Sequence, residues 1–413
     1  MATRVQESRA PPMKNWKRTF YAVCLAQVCA ITGFSFVLPF MPFFIRELGV
    51  TDPAAVARWA GIVSAATAVT MGIFGPIWGV LADRYGRKPM VVRAMFGGML
   101  VLLLMSLSRT VIHLTLCRLL QGALTGTMTA NIALVASVAP RERSGYALGM
   151  MQAAVFVGMS VGPLFGGLVA DHFGYRATFL AAAVLLVIGG IVVSLFAEEN
   201  FTPVSRDNKD EQGSFAEVLA ATGFVAALAA LFVIRFANSI TAPVFPLLVE
   251  QIHGAARLNT VTGGIISVGG FASAVFSGIL GRFSDTWGHR RLLILSSTVT
   301  GVVAGLHVFA QSVTHLVILR LLFGIGASGV MPAANAIIRN GSEDRNIGKA
   351  YGLSTAATSL GWAAGPLAGG SLAASMGLRA PFALMGASLV LAAVVVAVLV
   401  RKEPNSHDGS PGV

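Results

Sequence analysis

Charge is what this sequence has least of. Asp, Glu, Lys and Arg make up 12% of its 413 residues, about half the roughly 25% of a soluble domain. That shortage excludes an ordinary water-soluble globule. Acid is scarcest where it would be most costly: the 18 Asp and Glu residues lie in tails, in loops or near the ends of apolar runs, and none falls mid-run. Cysteine is rare too. Cys24, Cys29 and Cys117 stand inside apolar segments without zinc-site spacing and read as packing residues. No metal-ligand cluster, phosphate-cradling loop or nucleophile–base constellation is present. The connecting loops are too short for a soluble active site. The chain therefore reads as neither an enzyme nor an ATP-driven machine, with no metal and no cofactor.

Apolar residues are what it has instead, 55% of the chain, with a mean hydropathy of +0.74. Runs of 18 or more, each long enough to span a bilayer as a helix, recur from end to end. The basic, polar N-terminus runs into a span longer than the core of a signal peptide, so no cleavable signal is expected. The expected spans are 19–45, 58–82, 90–108, 111–139, 145–170, 176–197, 218–249, 258–283, 290–311, 314–338, 347–374 and 379–400. The expectation is an all-α integral membrane protein of twelve transmembrane helices in two six-helix pseudo-repeats. Residues 1–18 form a tail, 19–197 the first bundle, 198–217 a linker, 218–400 the second bundle and 401–413 a second tail. The polar stretch "EENFTPVSRDNKDEQGSF" supplies the linker composition.

The net charge of +12 reads as topology, not as a nucleic-acid surface. Of the 30 Lys and Arg residues, 21 lie in the tails and in or close to the loops on the N-terminal side, six in or close to the opposite loops, and Arg118, Arg235 and Arg320 fall deep inside spans. Basic residues collect in the cytoplasm, so both termini are expected there, in a multi-pass protein of a bacterial inner membrane.

The two halves repeat at almost constant offset. Gly79, Asp83 and Gly86 return as Gly281, Asp285 and Gly288. "RLLQG" at 118–122 returns as "RLLFG" at 320–324, "GPLFGG" at 162–167 as "GPLAGG" at 365–370, and "LPFMP" at 38–42 as "APVFP" at 242–246. Four such pairs in order mean a duplicated unit. Repeats of this kind place a substrate site near the midplane, between the halves.

Several residues stand out chemically. A charge inside a span is costly and usually faces a cavity, which singles out Arg118, Arg235 and Arg320. For each, a structural tie to backbone carbonyls is the competing reading. Gln121 follows Arg118 on one helical face, Asn238 follows Arg235, and Asn131, Gln152, Gln27 and Trp362 are further cavity candidates. Gly158, Gly162 and Gly166 are spaced to let a neighbouring helix approach. Pro163 among them invites a kink, and Gly167 follows. The charged turn "GVLADRYGRK", with Gly79, Asp83, Arg84, Gly86, Arg87 and Lys88, reads as a latch between helices or as a topology signal. Its second copy holds Asp285.

These motifs resemble those of the major facilitator superfamily, and within it the twelve-span drug:proton antiporters. "GVLADRYGRK" looks like that family's loop 2–3 motif, "RLLQG" like its fourth-helix arginine motif, and "GMSVGPLFGG" like its fifth-helix antiporter motif. "NWKRTF", "PFMP" and "PRERSGYALG" are similar to a bacterial multidrug efflux branch associated with fosfomycin and deoxycholate resistance. The resemblance covers essentially the whole chain.

It implies a proton-coupled exporter working by alternating access on small-molecule drugs or metabolites, as a monomer among membrane lipids. It implies that Asp83 meets the start of the eleventh helix when the cytoplasmic side is closed. Arg84, Arg87 and Lys88 carry the charge to pair with Glu142 or with anionic lipid headgroups. The resemblance implies a tight seam between helices five and eight at the antiporter motif. Many relatives of this kind carry a membrane carboxylate, which is absent here. A cavity preferring anionic or neutral amphiphiles follows, with coupling through a peripheral acid such as Asp83, Asp171, Glu47 or Glu250, or with the proton carried by the substrate. A dedicated metabolite or siderophore exporter is the alternative. A non-transporting sensor or scaffold fits the short tails and loops poorly.

Overall fold

The computed structural model describes residues 16–140, 143–201, 224–330, 333–334 and 347–399. Among them every regular element is helical. Twelve spans follow in order: α1 (Trp16–Glu47), α2 (Pro53–Tyr85), α3 (Arg87–Ser106), α4 (Val111–Val138), α5 (Ser144–Phe173), α6 (Tyr175–Phe196), α7 (Leu228–His253, its helix opening at Phe224), α8 (Leu258–Trp287), α9 (His289–Phe309), α10 (Val313–Ser328), α11 (Ile347–Met376) and α12 (Ala380–Leu399). Ten of them are long and apolar enough to cross a membrane. Of the others, α10 has only 16 residues, and α11 is long but diluted by Gly, Ser, Thr and Ala. The linker beyond Phe201 and the expected first residues of the seventh span lie outside the described residues.

Odd-numbered spans begin on the face that holds Trp16, here the N-terminal face; the other is the far face. Prolines set two of the breaks. α1 passes through a 3-10 turn at Leu38–Phe40, and α7 loses its helix at residues 241–244, where "LPFMP" and "APVFP" remove backbone donors. α4 breaks at Thr125 and Gly126, with Gly126 left-handed at φ +106°. Gly86 and Gly288 alone join α2 to α3 and α8 to α9. Their φ values of +96° and +89° are open to glycine at little cost, which is why the charged turn carries a glycine in both copies.

The duplication extends to contacts that have no sequence motif. Arg176 at the start of α6 donates to the carbonyls of Ser106 and Ser108 at the end of α3. Arg379 does the same from α12, to Val308 at 2.6 Å and Ala310 at 2.9 Å at the end of α9. On the N-terminal face Lys88 donates to Ser194 O at 3.0 Å, and its counterpart Arg290 to Ala397 O. Each cation meets carbonyls that a helix end leaves unpaired, where the helix dipole favours it. α3 is thereby pinned to α6, and α9 to α12, at both ends.

Most buried apolar clusters stay within one half. The exception joins Phe40, Phe43, Val56, Ala57 and Ala170 from the first half to Val244, Phe245, Leu248, Leu258 and Phe382 from the second. These residues all lie toward the far face, so the shared core sits there.

Candidate functional site

Two seams hold the halves together, and they are copies. In one, α5 meets α8: Gly263 lies on the backbone of Pro163 and Leu164, and Gly167 on Asn259 and Thr260. In the other, α11 meets α2: Gly61 lies on Pro366 and Gly370, and Gly370 on Ala57. Pro163 and Pro366 are equivalent in the repeat, as are Gly263 and Gly61. The second "GPLxGG" motif thus does for α2 what the first does for α8.

Polar contacts seal the far face. Arg46 Nη1 donates to both carboxylate oxygens of Glu250, at 2.6 and 2.7 Å, joining equivalent positions of the two halves. Asp171 near the end of α5 accepts from the backbone N–H of Asn259 (3.2 Å) and its Nδ2 (2.7 Å) through Oδ1. Its Oδ2 accepts from the backbone N–H of Thr260 (2.8 Å) and its Oγ1 (2.6 Å).

Toward the N-terminal face the seams part. A Cβ on Gly72 would just reach Ser359 at 3.6 Å, and one on Gly75, Gly79, Gly149, Gly278, Gly281 or Gly352 would meet none of the described residues within 4 Å. Among the described residues, the space between the halves is therefore closed at the far face and open at the N-terminal face.

Helical register shows which side chains line it. On α11, Gly361 and Gly365 pack on α7, while Ser359, Pro366 and Gly370 point to α2. Trp362 lies between these directions and is exposed, facing the inter-half space. On α7, Ile234 and Ala237 pack inside their own half, leaving Arg235, Asn238 and Ala242 as an exposed stripe on the same side as Trp362. The Arg235 guanidinium has no hydrogen-bond or ion-pair partner among the described residues, and Asn238 bonds only its own helix, at Ile234 O (2.9 Å). On α5, Gly158, Gly162 and Gly166 lie on α1, against Ile31, Ser35 and Phe36, so exposed Gln152 falls on the face between α1 and α8. The expected α5–α8 seam is present at this motif, but one part of the expectation is corrected: the three-glycine stripe packs on α1, and α8 is met by the adjacent face through Ser160, Pro163 and Gly167.

The remaining candidates are ties within a half in this conformation. Arg118 is 7% exposed; its Nε donates to Val63 O of α2 at 3.2 Å and its Nη1 to Gln121. Asn131 donates to Gln27 of α1 at 2.6 Å. The Arg320 guanidinium lies 3.7 Å from the Phe245 ring centre. Asp83 is exposed, with no hydrogen-bond or ion-pair partner among the described residues. Arg84 lies over Tyr85. Glu142 and the side chain of Asp285 lie outside the described residues.

Two features had no motif to announce them. Glu199, just after α6, accepts from the backbone N–H groups of Arg87 and Lys88 at 2.7–2.9 Å, capping α3 at the charged turn. At the α4 break, the Arg93 guanidinium sits 3.4 Å over Trp78, and the freed carbonyls of Ala123 and Thr125 accept from Trp78 and Arg93.

The model of the Major Facilitator Superfamily matches residues 23–230 and again 227–413. The chain belongs to the major facilitator superfamily. The double match follows the duplication seen in the helices. Among relatives of this major facilitator chain, the multidrug resistance protein MdtG of Salmonella paratyphi A is 34% identical over 387 residues, covering 92% of this chain and 95% of its own length. MdtG of Salmonella arizonae is 33% identical over the same shares. The crystal structure of the human organic anion transporter MFSD10 (TETRAN) has the same fold, with a TM-score of 0.69 at 17% identity, covering 93% of this chain and all of that one. The protein is thus a multi-pass membrane transporter and not an enzyme.

Proposed function

We propose that this protein exports amphiphilic drugs or metabolites, anionic or neutral in preference to cationic, from the bacterial cytoplasm in exchange for protons. The observation that carries the reading is the inter-half space. Among the described residues it opens on one face only and presents Arg235, without a partner among them, on the same side as Trp362; no Asp or Glu falls mid-span in the sequence. A guanidinium in a cavity attracts anions and repels cations, and an indole supplies a flat apolar wall. The multidrug relatives support the class of cargo. The basic bias of the N-terminal loops supports placing that face in the cytoplasm of the inner membrane, so the conformation described is the inward-open one. Closing the N-terminal face would carry Asp83 toward the start of α11, whose amide groups favour an anion. Asp83 thus acts as a latch for the opposite conformation, its partner there being the start of α11, whose leading side chains lie outside the described ones.

The test is a susceptibility panel in a bacterium stripped of its own exporters. Fosfomycin, deoxycholate and chloramphenicol are compared with ethidium for wild type, Arg235→Gln and Asp83→Asn. Wild type should protect against the first three. Arg235→Gln should lose the anionic compounds first, by about tenfold if one charge-assisted contact is removed. Asp83→Asn should weaken protection against all of them. Protection confined to cations would contradict the reading of the cavity.

A further inference from the structure

At the N-terminal face the first turns of α1 and α5 part to leave a cleft of 310 Å³. It is lined by Trp16, Lys17, Phe20 and Tyr21 of α1, and by Arg143 and Tyr146 at the start of α5. Phe20, 1% exposed, is its floor: the ring centres of Trp16, Tyr21 and Tyr146 lie 5.8, 5.1 and 6.0 Å from that of Phe20. Tyr21 and Tyr146 form an exposed rim. Every polar side chain in the lining can donate: the Lys17 ammonium, the Arg143 guanidinium, the Trp16 indole and the two phenols. None of them has a hydrogen-bond or ion-pair partner among the described residues. The nearby acid Glu198 is held instead by Arg18, at 3.6 Å.

Beyond the rim both helices turn an apolar side outward. Leu25 lies one turn beyond Tyr21, and Met150 and Val157 lie one and three turns beyond Tyr146 on the same face; all three are exposed. Gln152 lies on the other side of α5. The groove therefore leaves the cleft along the bilayer side of the helices, away from the inter-half space.

Aromatic and basic residues gather at any membrane interface, and the duplication separates that general tendency from a built site. At the offset of 204 that relates the two proline motifs, Ala220, Ala221 and Val225 stand where the first copy has Trp16, Lys17 and Tyr21. At the offset of 203, Asn346 and Lys349 stand where it has Arg143 and Tyr146. Only the floor is kept, as Phe224 for Phe20. The packing ring is common to both copies, whereas both cations and all three rim rings belong to one. An interface belt has no reason to choose between them.

We propose that this cleft binds one anionic phospholipid of the cytoplasmic leaflet. The phosphodiester sits between Lys17 and Arg143 and accepts from the indole and the phenols, and the acyl chains follow the groove past Leu25, Met150 and Val157. Charge-assisted bonds from a guanidinium suit a phosphate, whereas a zwitterionic headgroup brings its own cation against the two already there. The lipid bridges α1 to α5. The site is separate from the inter-half space and holds whatever the cargo is; it shares with the exporter reading only the placement of the N-terminal face in the cytoplasm.

The experiment titrates the full-length protein, purified in uncharged detergent and freed of lipid, with phosphatidylglycerol, and counts bound lipid by native mass spectrometry. Wild type should hold one copy more tightly than all later ones. Lys17→Gln and Arg143→Gln should each weaken that copy about fivefold, and the double change about 30-fold. Trp16→Leu with Tyr21→Leu should weaken it without altering charge. Arg291→Gln, which removes an exposed cation elsewhere on the same face, should keep the wild-type affinity. Phosphatidylcholine should bind about tenfold more weakly, and inorganic phosphate should leave the first lipid in place. Equal affinity for the two lipids, displacement by inorganic phosphate, or a first copy left intact by both single cation changes overturns the proposal. So does a wild type that holds lipid only after Glu142→Gln, which would give the cleft to the chain's own acid, or displacement by deoxycholate, which would make it a port for cargo. If the double variant does not fold, the single changes decide. A wild type that binds the lipid and exports nothing would sink the exporter reading alone, and one that exports and binds no lipid tightly would sink this one alone.

Discussion

A methyl group added at Gly263 should push the halves apart on the far face. Its carbon would stand 2.6 Å from the carbonyl carbon of Pro163 and 3.1 Å from Leu164 Cα, both backbone atoms on a helix of the other half, where ordinary contact begins at 3.4 Å. Neither atom belongs to a flexible side chain that can swing away, so the seam must open by about 1 Å. Overpacking of a fitted interface costs about 1–3 kcal/mol, a factor of about 5 to 150 in the balance between conformations. Because the strain exists only while the far face is shut, Gly263→Ala should shift the population outward without unfolding either half. Gly61→Ala should do the same from the other seam, since its added carbon would meet Pro366 and Gly370 at 3.2–3.3 Å. Gly278→Ala is the control, for its added carbon would meet none of the described residues within 4 Å in this conformation. The assay is the distance between labels at Phe173 and Met376, read alongside thermal stability. An unchanged far-face distance in both seam variants would refute the claim that these glycines set the closure.

Two further outcomes follow from contacts within the halves. Glu199→Ala uncaps α3 at the charged turn and should lower stability by about 1–2 kcal/mol, the usual worth of a cap; a thermal-shift measurement showing no loss would mean the cap is not used. Arg176→Ala and Arg379→Ala remove equivalent staples of two carbonyls each, and should cost about the same, roughly 1 kcal/mol per bond at most. A large difference between the two would show that the halves are not energetic copies.

The fold was legible because its evidence is periodic: long apolar runs give the spans, and recurring glycine and proline motifs give the duplication. The inter-half seams were half legible. The glycines of "GMSVGPLFGG" announce close packing, but a helix face names no partner, and the stripe proved to serve α1 while its neighbours serve α8. The arginine staples were illegible, since Arg176 and Arg379 donate to backbone carbonyls that every residue possesses. Asp171 is noticed as a peripheral acid, but its acceptors' partners lie 88 and 89 residues away, and no local pattern links them. Arg118 shows the same limit. Its position inside a span marks it as costly, whereas the α2 carbonyl that receives it is visible only once the helices are assembled.

The measurement that tests the account most directly follows both faces at once. One label pair spans the N-terminal face at Tyr85 and Trp287, and a second spans the far face at Phe173 and Met376, all four positions being exposed. Distances are recorded with and without deoxycholate at high and low pH. The account predicts reciprocity: whatever lengthens the far-face distance shortens the other, because rigid halves rock about one shared core. Distances that change in the same direction at both faces, or at one face only, would contradict it.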